Sequence, residues 1–148
     1  MTVNWQTLDA GMDIATAEQM VSAGEWIGLN TPAATTIALS GDLGYGKTTL
    51  SKGIARGWGV TTTVKSPTYN YFLTYKSPRG LLVHLDAYRL SGVHEYDSLM
   101  IEDILEDPWL LLIEWPENIR ESLPLDTWHL QIESTGENER RLRRVVSA

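Results

Sequence analysis

The stretch Gly41-Asp42-Leu43-Gly44-Tyr45-Gly46-Lys47-Thr48 constrains this chain more than any other, because it fits G-x-x-x-x-G-K-[ST] at every fixed position. The pattern dictates a structural context as well as a ligand. Its glycines let the backbone curl until successive N–H groups converge on one anion. The lysine then reaches the outer phosphates of a nucleotide, and the next hydroxyl coordinates magnesium. Such a loop belongs between a buried strand and the N-terminus of a helix, whose dipole adds to the anion site. Both flanks comply. Thr35-Thr36-Ile37-Ala38-Leu39 reads as a short buried strand, and Leu50, Ile54, Ala55 and Trp58 recur at helical spacing. The competing reading is a glycine turn with an incidental lysine.

The rest of the chain organises around that centre. Thr16 with Gln19 is a capping box, and Ala17, Met20, Val21, Gly24 and Ile27 form the helical face behind it, ended by Asn30-Thr31-Pro32. The helix after the glycine loop is expected to stop near Gly57 or Gly59. Asn70 to Tyr75, the turn Lys76-Ser77-Pro78-Arg79-Gly80 and the apolar Leu81 to Leu85 predict an antiparallel hairpin rather than a crossover helix. Glu95 to Leu105 reads as a helix. Trp109 to Ile113 is a continuous apolar run, as in a strand buried on both faces. Trp128, Leu130 and Ile132 alternate with His129 and Gln131, and Gly136 sits in the turn to a last strand near Leu142 to Val146. The expected fold is α/β: a P-loop NTPase-like mixed sheet, parallel at its centre with antiparallel hairpins, flanked by helices in one small domain over residues 1–148.

Composition narrows the partners. The 43% hydrophobic and 21% charged content of these 148 residues is ordinary for a soluble domain. With no cysteine there is no disulfide scaffold, thiol catalysis or thiolate metal site, which fits a cytoplasmic location. No apolar run reaches the roughly 20 residues of a membrane span, and the first ten residues carry no secretory pattern. The net charge of −7 argues against unaided gripping of nucleic acid. The one dense basic run, Arg140, Arg141, Arg143 and Arg144, reads as a solvated strand edge that discourages aggregation rather than a binding patch.

A phosphate loop alone does not complete a magnesium site. Hydrolysis also needs a carboxylate on a neighbouring strand and a group that orients or activates water. Leu81-Leu82-Val83-His84-Leu85-Asp86 and Leu110-Leu111-Leu112-Ile113-Glu114 are apolar strands that each end in an acid. Ligands in open α/β sheets collect outside the carboxyl ends of strands, so both acids are expected in the crevice with Thr48. Ser66-Pro67-Thr68-Tyr69 reads either as a hydroxyl-rich switch near the terminal phosphate or as a proline turn into the hairpin. Trp115 either stacks at the nucleotide or plugs the edge of the sheet. His84 reads as a packed, hydrogen-bonded histidine, and the three histidines lack metal-ligand spacing.

Taken in order, Gly41 to Thr49, Ser66 to Tyr69, His84-x-Asp86-x-Tyr88-Arg89-Leu90 and Ile113-Glu114-Trp115-Pro116 resemble the bacterial TsaE family, strongly from Ser40 to Pro116. The resemblance implies a P-loop ATPase with magnesium, needed for threonylcarbamoylation of the tRNA adenosine beside the anticodon. It implies the partners TsaB and TsaD, with tRNA reached only through the complex and no membrane. It further implies ATP hydrolysis that is slow alone and raised by partners. Carried over, Lys47 binds phosphates and Thr48 magnesium, with Thr49 beside it; Asp86 serves the nucleotide–metal site. Glu114 holds metal or the attacking water, and Trp115 is needed for activity. Adenine contacts fall around Thr16 and Ala17 and the turn near Gly136. Two positions depart from the family: Tyr45 stands where a small residue is usual, and Ala87 where leucine is usual. The rival readings are a small-molecule P-loop kinase, for which no arginine-rich lid stands out, and a nucleotide-gated binding module with incidental hydrolysis. A GTPase is disfavoured by the lack of an [NT]-K-x-D segment.

Overall fold

Period-two burial along the strands sets the architecture. In the computed structural model, which describes residues 2–41, 46–65 and 71–146, seven strands form one sheet in the order β1-β7-β6-β2-β5-β4-β3. They are β1 (Met12–Ile14), β2 (Thr35–Gly41), β3 (Phe72–Ser77), β4 (Gly80–Asp86), β5 (Trp109–Glu114), β6 (Trp128–Ser134) and β7 (Arg140–Val146). The helices are α1 (Trp5–Ala10), α2 (Ala17–Asn30), α3 (Lys47–Trp58), α4 (Val93–Ser98) and α5 (Ile101–Ile104). Strands β4, β5, β2 and β6 run parallel, with antiparallel β3 on one side and β7 then β1 on the other. The mixed sheet with a parallel centre and antiparallel hairpins is therefore as expected, and β6 extends the parallel set to four strands. Asp42, Leu43, Gly44 and Tyr45 and the Ser66-Pro67-Thr68-Tyr69 segment lie outside the described residues.

Alternation divides the core in two. Ile37 and Leu39 of β2, Leu82 of β4 and Leu110 and Leu112 of β5 join Ala23, Ile27, Leu50 and Ile54 of α2 and α3. The intervening Val83, Leu85, Leu111 and Ile113 face the opposite layer with Tyr96, Ile101 and Ile119. At roughly 1.5–3 kcal/mol for each fully buried large apolar side chain, these two layers supply most of the driving force for folding. The helical reading of α2 holds to its caps. The Thr16 hydroxyl accepts from Gln19 N–H at 3.1 Å, and the Gln19 side chain accepts from Ala15 N–H at 2.7 Å.

Two expectations are corrected. Glu95 to Leu105 is two short helices, broken where Met100 takes φ 52°. Tyr96 and Ile101 are both buried, yet five residues apart they would lie about 140° apart around a continuous helix, so the break turns both inward. The arginine run is an edge only in part: β7 pairs with β6 along its length, while β1 covers its other side at residues 140–142 alone, which places Arg140 and Arg141 inside the sheet. Arg144 there forks onto Asp9 at 2.7 and 2.9 Å and lies 4.3 Å from the Trp5 ring and 4.8 Å from the Trp128 ring. Of the two glycines expected to end α3 it is Gly59, left-handed at φ 113°, that does so, and the helix runs to Trp58.

Gly57 stays helical because it is a packing residue. A Cβ there would fall 2.1 Å from the Glu25 carbonyl oxygen, and one at Gly28 would fall 2.1 Å from that of Ile54. Gly24 and Gly53 meet the same wall, at 2.7 Å from Leu50 O and 2.6 Å from Val21 O. Backbone contact between α2 and α3 thus carries α3, and the residues at its start, at a fixed height over the sheet. Gly→Ala inside an exposed helix stabilises by about 0.5–1 kcal/mol. Gly28→Ala should instead destabilise by about 1–3 kcal/mol, measured by chemical denaturation, because overpacking outweighs propensity. An alanine variant at or above wild-type stability would contradict the contact.

Candidate functional site

The alternation that builds the core also delivers the polar residues. On β4 the residues facing α3 run Leu82, His84, Asp86; on β5 they run Leu110, Leu112, Glu114. The register pairs Asp86 with Glu114 and Glu114 with Leu39, so both acids end abreast beside the strand that leads into the glycine loop. Where each stripe passes the first turn of α3, its apolar residues give way to carboxylates. Gly46 caps that helix in the left-handed region at φ 98°, a conformation suited to glycine.

Lys47 is buried, 5% exposed, so its ammonium needs partners. Its Nζ donates to the Gly41 carbonyl at 2.7 Å and lies 3.1 Å from the centroid of the Trp115 ring. Trp115 reaches this position through a left-handed backbone, φ 59° and ψ 61°. For a bulky residue ahead of a proline, that conformation costs about 1–3 kcal/mol. Its N–H donates to Leu39 O at 3.3 Å, and its ring meets Tyr88, 63% exposed, at 5.2 Å. Of the two readings of Trp115, the ring is found over the loop lysine rather than plugging the edge of the sheet.

Asp86 is half-buried and its Oδ1 accepts from Tyr88 N–H at 3.0 Å, capping the 3-10 turn Ala87–Arg89. Burial raises its carboxyl above the ordinary range, and the Glu114 charge pushes the same way against the Tyr88 amide, His84 and Lys47. Ala87, where leucine is usual in the resembled family, is fully buried in the second core layer. Glu114 is 5% exposed and its Oε2 lies 2.6 Å from His84 Nε2.

Next to the loop is a cavity of about 350 Å³ lined by Thr16, Ala17, Met20, Gly46 and Thr49, with Ile14, Ala15, Asn138 and Arg140. Thr16 and Ala17 are therefore brought together with Thr49 beside the start of α3, while Thr48 is exposed at the same helix end. Gly136 is not in the cavity wall; Asn138 of that turn and Arg140, the first residue of β7, are. Sequence reading placed a contact at the turn but not at Asn138, since a surface turn carries no periodicity; it gave Arg140 to a strand edge and Met20 to the helical face alone. A second concavity, about 500 Å³, is lined by Trp115 with Ser40, Gly41, Tyr88, Glu117, Asn118 and Arg120.

Among the described residues no group of three or more His, Asp or Glu side chains could hold a metal. Magnesium in phosphate sites takes only one or two carboxylates, the rest of its shell being phosphate and water. Asp86 and Glu114, whose mutual repulsion a cation would relieve, fit that requirement together with Thr48. No described helix is long and apolar enough to cross a membrane.

A glycine loop between a buried parallel strand and a helix, with acids closing the two adjacent strands, places the chain in the P-loop class of α/β folds. Residues 14–142 match the model of the family described as "Threonylcarbamoyl adenosine biosynthesis protein TsaE", and the chain belongs to that family. A Bacillus subtilis tRNA threonylcarbamoyladenosine biosynthesis protein TsaE is 36% identical over 106 residues, 72% of this chain and 66% of the relative. The Haemophilus influenzae protein of the same name is 40% identical over 96 residues, 65% of this chain and 61% of the relative. The chain thus aligns with slightly less than two thirds of the length of each. The crystal structure of Bacillus subtilis YdiB superposes with a TM-score of 0.74 at 27% identity, covering 93% of this chain and 85% of that one.

The raised Asp86 carboxyl has a consequence for stability. A carboxyl shifted upward on folding contributes stability below its unfolded pKa and loses it as pH rises through the folded value. At pH 7 the ionised Asp86 is therefore a net burden on the fold. Asp86→Asn keeps the acceptor for Tyr88 and removes the charge. Its melting temperature without magnesium should rise by roughly 1–3 °C at pH 7. The gain should vanish at pH 3, where the wild-type carboxyl is itself protonated; a fall in melting temperature at pH 7 would contradict the assignment.

Proposed function

We propose that this protein is a magnesium-dependent ATPase that serves, in the cytoplasm, the complex making the threonylcarbamoyl modification of tRNA adenosine beside the anticodon. The observation that carries the proposal is the placement of Lys47, Asp86 and Glu114 around the first turn of α3. ATP is the substrate. Its triphosphate would lie against the amides of residues 41–48, with Lys47 exchanging the Gly41 carbonyl and Trp115 ring for phosphate oxygens. The adenine would enter the cavity between Thr16, Ala17 and Asn138. Magnesium, held by Thr48 and Asp86 with Glu114 adjacent, would supply charge neutralisation for the β- and γ-phosphate oxygens.

Glu114 is the base in this proposal. One carboxylate oxygen is occupied by His84, while Oε1 has no hydrogen bond among the described residues and is the oxygen available to take a proton from water. The β3–β4 hairpin occupies the stretch before Asp86, which favours water over a bound metabolite as acceptor and hydrolysis over a kinase activity. TsaB and TsaD, proposed as partners from the family, would raise the rate and provide the only route to tRNA, consistent with a net charge of −7.

Two substitutions separate chemistry from binding. Glu114→Ala should lower ATP turnover by about 100-fold or more while ATP affinity, by equilibrium dialysis, stays within about threefold. Lys47→Ala should weaken ATP affinity at least about tenfold and lower turnover as well. Wild-type turnover in Glu114→Ala would remove it as the base. Phosphate release measured with and without TsaB and TsaD should rise on their addition, and equal rates would refute partner activation.

A further inference from the structure

β4 is buried from Leu82 to Leu85, and on the α3-facing side His84 sits between Leu82 and Asp86 and opposite Leu112 of β5; a histidine buried there requires a reason. His84 is 1% exposed and its Nε2 lies 2.6 Å from Glu114 Oε2, a side chain itself only 7% exposed. The other ring nitrogen, Nδ1, is buried and has no hydrogen-bond partner among the described residues. Stability does not account for this arrangement. A buried polar pair gains little over an apolar pair of similar volume, and an unpartnered nitrogen adds a desolvation penalty. Buried atoms left unsatisfied call for a specific explanation.

The geometry points to His84 as the positioning residue of Glu114. With the ring proton on Nε2, the imidazole donates to Oε2 and leaves Nδ1 as a bare lone pair, the arrangement that strands no buried N–H. The bond fixes the rotation of a side chain that otherwise has three free torsions. It holds Oε2 toward β4 and leaves Oε1 as the oxygen presented at the crevice. His84 touches neither nucleotide nor water in this scheme and acts only through Glu114. A packing residue would need only volume; a positioning residue needs a donor at one atom.

This inference rests on Glu114 being the base of the proposed ATPase, and one variant pair tests it. Gln and Met have side chains of equal length, and both fit buried sites, but only Gln carries a donor where the histidine Nε2 stands. In the full-length chain, His84→Met should lower kcat for ATP hydrolysis about 10–100-fold, the range for losing a group that orients a reactive ligand, with KM within about threefold of wild type. His84→Gln should recover the rate to within about threefold of wild type. Independently of activity, long-range proton–nitrogen NMR of the three histidines should show His84 as the Nε2–H tautomer, with its ring N–H protected from exchange in the wild type and losing that protection in Glu114→Ala. Equal rates in the Met and Gln variants, or KM rising in step with the loss of kcat, would overturn the positioning role. A wild-type chain that hydrolyses no ATP would overturn the ATPase proposal and this role together, and the two failures are thereby distinct.

Discussion

Leu39, Glu114 and Asp86 lie abreast on β2, β5 and β4 because those strands are parallel and in matched register. Everything at the site descends from that pairing. Had β5 slipped by one residue, Glu114 would face the layer of Tyr96 and Ile101, since a one-residue shift turns every side chain to the other face. The acids help to hold the register, because a slip would bury Glu114 in that apolar layer at a large desolvation cost. A second constraint fixes the helix above. α2 and α3 meet at glycines, so Lys47 stands at one height over the ends of the strands.

The centre of the molecule was legible because its signals are periodic or of fixed spacing. The glycine loop names its own strand and helix, and an apolar strand ending in an acid shows where the sheet ends. The elements that could not be read are those decided by partners distant in sequence. Trp5–Ala10 has only one fully buried residue, Leu8, and its N-cap is a lone asparagine, so its helix emerges mainly from docking on β7. The break at Met100 comes from two buried side chains competing for one face. The arginine run gave the right element but only part of its environment, since β1 covers residues 140–142 and not Arg143 or Arg144. Nothing in residues 140–146 reveals that the three-residue β1 pairs beyond them or that Trp5 and Trp128 flank Arg144.

The candidate site shows the same division. Lys47, Asp86 and Glu114 were found from spacing, and the structure brings them to one helix terminus. Alternation assigned His84 to a face but not to a partner, and its bond to Glu114 depends on the register between β4 and β5. Asn138 and Arg140 reach the cavity beside Thr16 because β6 and β7 form a hairpin next to β2, a consequence of topology that the local sequence does not carry.

The site is polarised throughout. An ammonium is buried against a carbonyl and an indole, two carboxylates stand side by side, and a tryptophan holds a left-handed backbone. These are local costs that a bound, magnesium-associated triphosphate would relieve, and such costs concentrate at functional sites. Calorimetric titration of the full chain with ATP and magnesium tests this most directly. Saturable heat with one nucleotide per chain is the predicted result, and a folded chain that takes up no heat of association would contradict it.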